Sequence, residues 1–150
     1  MKRLKAVAAA ALILMPTAAL ADGKSEIEAV IWDYLRLWNA HDAGAITAKV
    51  YRLEGDNPWG TKDGLQAEFD RLKAQGYDHS DTSSVIGCVL DGDRGQAELR
   101  FVRLKTDGTP MPPKERVSLY RLRKFPDGWR VTGMSALPAG GKMECPAKAP

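Results

Sequence analysis

An α+β domain, with N-terminal helices packed in the concave face of a strongly curved antiparallel sheet, is predicted by three observations. Apolar residues recur at helical spacing from residue 26 to residue 72. From residue 83 the pattern changes to strand-like alternation in four runs separated by turn formers at hairpin spacing. Two of those runs slip phase without losing their strand character, which is what a β-bulge does and what bends a sheet. Helices first and a meander after them define the α+β class.

The chain of 150 residues opens with Lys2, Arg3 and Lys5, an apolar run over 6–15, Pro16, and the small residues Ala19-Leu20-Ala21. This predicts a secretory signal peptide over 1–21, cut after Ala21, and a periplasmic or secreted protein. The apolar run is about half of what crosses a bilayer, so no stable membrane anchor is expected after cleavage. The whole sequence carries 22 basic and 19 acidic residues. Losing the leader removes three of the basic ones and leaves the charges balanced, without the basic footprint of a nucleic-acid binder. What remains suffices for one domain over 22–137 with one core, followed by a Pro-, Gly-, Ala- and Lys-rich tail over 138–150 expected to be flexible except near Cys145.

The first helix places Ile27, Val30, Ile31, Tyr34, Leu35 and Trp38 on one face. Ser25 and Glu28 have the form of a capping box, so the helix is expected to start near Glu26. Asn39 and Ala40 end it, and Asp42 caps a second short helix that turns Ile46, Val50 and Tyr51 inward. Gly55, Asp56, Asn57, Pro58 and Gly60 make residues 52–60 a loop. Thr61 then caps a third helix with Leu65, Phe69 and Leu72 on its buried face and Glu68 among the polar ones, stopped by Gly76. Strands are predicted over 83–90, 96–105, 116–125 and 129–137, paired antiparallel as neighbours. With the phase slips, the inward residues of the middle strands are Ala97, Leu99, Phe101, Val102, Leu104, Val117, Leu119, Tyr120 and Leu122, leaving Arg103 outside.

Cys88 lies in the first strand and Cys145 in the tail. An even pair in an exported protein favours a disulfide, which closes a loop of about 60 residues worth about 4 kcal/mol in the chain-entropy model. Two unpaired thiols are the alternative.

The order of these parts resembles the nuclear transport factor 2-like (NTF2-like) superfamily, most closely its SnoaL-like bacterial members. The features that carry it are the Trp38-Asn39-Ala40-His41-Asp42 corner, the Gly-rich loop, Gly60 and Gly64-Leu65 leading into the third helix, and the closing Asp127-Gly128-Trp129-Arg130-Val131. The resemblance implies a cystatin-like cone with a pocket between sheet and helices, and a dimer through the sheet in many members. It implies no single function, because the superfamily mixes steroid isomerases, dehydratases, cyclases and non-catalytic binding domains. In isomerase-like members a loop carboxylate acts as base and a first-helix tyrosine polarises a carbonyl; Asp56 and Tyr34 occupy those regions. The last strand reads Thr132-Gly133-Met134 where many relatives carry histidines.

Only one inward sheet position is polar, so the sheet supplies little for acid/base work and suits an apolar molecule. The expected pocket is lined by Tyr34, Trp38, Tyr51, Trp59, Phe69, Phe101 and Tyr120. The same residues also describe a filled core. His41 reads as a corner residue, and His79 with Asp78 and Asp81 lacks metal-ligand spacing. No cofactor or metal is expected. The leading function is non-catalytic binding of a small, largely apolar ligand; an isomerase-, dehydratase- or cyclase-type enzyme using Asp56 and Tyr34, and a dimeric interaction module, are the alternatives.

Overall fold

The computed structural model describes residues 22–146. The signal peptide expected over 1–21 lies outside the described residues. Among the described residues no helix is long and apolar enough to cross a membrane.

Helix α1 (Gly23–Asn39) starts three residues earlier than the Ser25/Glu28 box suggests, because Asp22 is the cap: its carboxylate accepts from the Ser25 N–H at 2.7 Å. Glu28 is thereby free to accept from the Gly87 N–H at 2.9 Å, a tertiary bond in place of a local one. Helix α2 (Ala43–Lys49) is capped by Asp42 as expected, and α3 (Lys62–Ala74) by Thr61. A 3-10 turn (Pro58–Gly60), capped by Asn57, precedes α3. Ile27, Ile31, Ile46, Val50, Leu65, Phe69 and Leu72 are buried, as their spacing requires. Glu68, placed among the polar residues, is buried too; Arg71 grips its two oxygens with Nε and Nη2.

Four strands follow: β1 (Tyr77–Val89), β2 (Arg94–Lys105), β3 (Arg116–Phe125) and β4 (Gly128–Leu137). They pair antiparallel in the order β1-β2-β3-β4. β1 begins six residues before the predicted start, through the polar run Asp78-His79-Ser80-Asp81, because the side chain of Asn39 docks there. Its Nδ2 donates to Ser80 O and its Oδ1 accepts from Ser80 N, the two bonds a neighbouring strand would make.

The bulges lie elsewhere than the phase slips indicate. β2 and β3 pair without a break from Arg94↔Arg123 to Phe101↔Arg116. The extra residues sit on the outer strands, Asp78 and Ser83 in β1 and Thr132 in β4. Alternation therefore runs unbroken through the middle strands. Ala97, Leu99, Phe101 and Arg103 share the concave face with Arg116, Ser118, Tyr120 and Leu122, while Val102, Leu104, Val117 and Leu119 face the other way. Arg103 therefore lies on the concave face rather than outside, because β2 keeps its register through residues 101–104 instead of bulging.

The convex face carries Cys88, Gln96, Glu98 and Arg100, and the tail crosses it. The Met143 N–H donates to Glu98 Oε2 at 2.6 Å, Gln96 Nε2 donates to Glu144 O, and Arg100 Nη2 donates to Gly141 O. Cys88 and Cys145 form the expected disulfide, with Cα atoms 5.8 Å apart. The segment expected to be tied only at Cys145 is thus held at three further points.

Candidate functional site

The aromatic residues expected to surround a ligand do come together, from α1 (Tyr34, Trp38), the end of α2 (Tyr51), α3 (Phe69), β2 (Phe101) and β3 (Tyr120). They meet one another rather than a space. Ring centroids are 5.5 Å apart for Tyr34–Trp38, 5.4 Å for Tyr34–Tyr120, 5.7 Å for Tyr34–Tyr51 and 4.8 Å for Trp38–Phe69. The cavity left among Tyr34, Trp38, Phe101 and Tyr120 is about 40 Å³. That holds a few waters and lies far below the roughly 300–1,000 Å³ of small-molecule sites. The interior pocket of the sequence reading is a filled core.

Its tyrosines keep their protons. Burial, then the neighbouring Tyr120 and Tyr51, hold Tyr34 well above the usual phenol range. Burial pushes Tyr51 and Tyr120 up as well. The Tyr77 hydroxyl accepts from Trp38 Nε1 at 3.0 Å and shares a second hydrogen bond with Ser80 Oγ at 2.9 Å.

Open space begins at the mouth of the cone. A cavity of about 380 Å³ there shares Phe101, Arg103 and Ser118 with the small interior one and adds Trp59, Arg116 and Met134. Trp59 stands between inside and outside, 6.2 Å from Trp38 by ring centroids. Two arginines line this cavity, and sequence reasoning assigned a role to neither. Arg103 lies over the rings of Tyr77 and Phe101 at 5.8 and 6.0 Å. Arg116 donates from Nη2 to Pro112 O at 2.6 Å. The Nε atoms of both are buried without a hydrogen-bond partner among the described residues. The signal that finds them is plain alternation: counted without a slip, position 103 falls on the face of Leu99 and Phe101.

Asp56 does not reach this site. It is exposed, in a shallow recess with Glu54, Asn57 and Pro58, whereas Tyr34 is buried in the core. The pairing of Asp56 with Tyr34 on which an isomerase-like reading rests is therefore corrected: the loop's Asn57 turns back to cap the 3-10 turn, and Asp56 stays at the loop's solvent edge. His41 sits at the helix corner with φ +53°, its ring beside Phe69 and Tyr77 and its Nε2 buried without a hydrogen-bond partner among the described residues. His79 Nδ1 meets Asp78 Oδ2 at 2.7 Å on the surface. Among the described residues no three His, Cys, Asp or Glu side chains gather as a metal site. A larger groove of about 860 Å³ beside β1 is bounded by Asp22 and Pro146, the two residues from which the chain continues beyond the described part.

A family model described as "NTF2-like protein (DUF6841)" matches residues 57–139, more than half of the chain and all of the sheet. The chain belongs to this NTF2-like family. Among solved structures, it is similar to an NTF2-like protein with a cystatin-like fold from Novosphingobium aromaticivorans. That match has 22% identity, covers 75% of this chain and 79% of that one, and has a TM-score of 0.55. It is also similar to an NTF2-like superfamily protein from Salmonella enterica, at 18% identity with 88% and 96% covered and a TM-score of 0.56. A ketosteroid isomerase-like protein from Erwinia carotovora matches at 19% identity, with 79% and 99% covered and a TM-score of 0.52. At such identities the likeness is one of fold, and it agrees with the NTF2-like cone described above. No curated protein matches the chain.

Proposed function

We propose that this NTF2-like protein is exported and binds a small molecule, largely apolar in body, at the mouth of its cone, without chemistry on it. The observation that carries the reading is the cavity of about 380 Å³ walled by Trp59, Phe101 and Met134. Its size and mixed lining are those of small-molecule sites. The leader read in the sequence supports export. The disulfide supports it as well, since such bonds persist in oxidising compartments.

An acid/base enzyme needs a titratable group poised near the working pH and in reach of the substrate. The tyrosines near this cavity are held protonated and Asp56 is in solvent, so binding is the better-supported reading.

Native mass spectrometry of the exported protein, before and after mild denaturation, tests this. A small mass that travels with the folded chain and is lost on unfolding is the expected result. A protein that comes out empty, and stays empty when offered a panel of small aromatic and aliphatic compounds, would overturn it.

A further inference from the structure

We propose that the mouth cavity takes a small organic acid, its carboxylate held between Arg103 and Arg116 and its apolar body against Trp59, Phe101 and Met134. This rests on the small-molecule reading above and narrows it to a chemical class.

The two arginines are diagonal neighbours across the β2–β3 ladder. Phe101 is the partner of Arg116, and Arg103 lies two residues further along the same face. Diagonal positions are within reach of long side chains, and two like charges at that range repel each other. Neither guanidinium forms an ion pair among the described residues. The one acid lining the cavity, Glu115, is exposed and lies 4.0 Å from Arg100 Nη1 instead. Burial, followed by the charge of Arg103, lowers the pKa of Arg116, a sign that its positive charge is poorly compensated.

Both Nε–H groups are also buried without an acceptor, and an unmade bond at a charged donor is costly. An anion between the two arginines cancels their repulsion, and a planar carboxylate matches the guanidinium fork. The cavity is far larger than a bare anion, and a bare anion would leave Trp59, Phe101 and Met134 facing water. The remaining volume suits a hydrocarbon or aromatic body.

The test is calorimetric titration of the protein, purified as the cell releases it, with two probes of one shape: 2-naphthoate and neutral 2-naphthamide. Naphthoate is expected to bind roughly 10-fold or more tightly than the amide, the scale of one charge-assisted hydrogen bond, and inorganic phosphate should compete with it. Arg103→Met and Arg116→Met should each erase the preference while near-UV circular dichroism stays native. A readout that needs no variant is the Nε–H resonances of the two arginines, which should shift when naphthoate binds. Equal binding of both probes, or Nε–H resonances unmoved with naphthoate bound, overturns the two-arginine clamp while the small-molecule reading stands. Binding of neither probe overturns both.

Discussion

Glu26 holds two donors on one oxygen: Lys124 Nζ and Trp129 Nε1 each lie 2.8 Å from Oε2, tying the first turn of α1 to β3 and β4. Those bonds, Lys124 first, lower its pKa below the ordinary 4.5. Glu28 is lowered too: burial acts against it, but the Gly87 N–H and Lys24 outweigh burial. A carboxylate whose native pKa is depressed contributes stability that is present above its unfolded value and lost as pH falls through its native value. Urea unfolding is therefore expected to show constant stability near neutrality and a decline beginning near pH 4.5, with Glu26→Gln flattening part of that decline. Equal acid slopes for the two proteins would refute it. At the alkaline end the sign reverses. All four tyrosines are raised, chiefly by burial, so their contribution is present below the ordinary value of 10.0 and lost as pH rises toward their native values. Tyrosinate absorbance should stay absent at pH 10 and appear together with unfolding. A phenol titrating in the folded protein would show that one of the rings is open to water.

At the scale of elements, the approach of α3 to the preceding turn explains a motif that the sequence only displays. A Cβ at Gly64 would run into the carbonyl oxygen of Pro58, far inside contact distance, so the second glycine of Gly60 and Gly64-Leu65 lets α3 start directly on the 3-10 turn. In a free helix Ala is better than Gly by about 1 kcal/mol. Gly64→Ala is nonetheless expected to destabilise the protein by about 1–3 kcal/mol, the range in which overpacking falls, measured by thermal or urea unfolding. A gain in stability would mean the turn moves aside freely. The helices were readable because their signals are local: spacing for the buried face, Asp42 and Thr61 for the caps. The start of α1 misread because Asp22 and Ser25 are both good caps and the local pattern does not rank them. The inward face of β2 misread for a different reason. Val102 and Leu104 are apolar on the face that Glu98 and Arg100 share, and hydrophobicity alone cannot distinguish an apolar outer face from a bulge. The site followed the same division: its aromatic half was legible as helix and strand periodicity, and its arginine half depended on a register that only pairing reveals.

The whole molecule is closed by a strap that no periodicity announces. From the end of β4 the chain crosses the convex face of the sheet to the opposite edge, where Cys145 bonds Cys88. On the way it covers Glu98, whose side chain is 3% exposed and is satisfied by Arg100 Nε at 2.7 Å and by the Met143 N–H. The disulfide spans 57 residues of sequence, and constraining so long a loop in the unfolded chain is worth about 4 kcal/mol in the entropy model. Cys145→Ser loses that constraint, and once the strap can leave, Glu98 risks losing one of its two partners while still packed on the sheet. The expected outcome is a loss of about 4 kcal/mol in urea unfolding, together with faster amide exchange at Met143. The backbone bonds of β2 and β3 beneath should exchange at a rate set by global unfolding. Glu98→Gln in the disulfide-bonded protein separates the two contributions: it weakens the bonds to Arg100 and Met143 with the cross-link intact, so it should cost less than Cys145→Ser. If the two variants cost the same, the strap is held by its hydrogen bonds rather than by the covalent link.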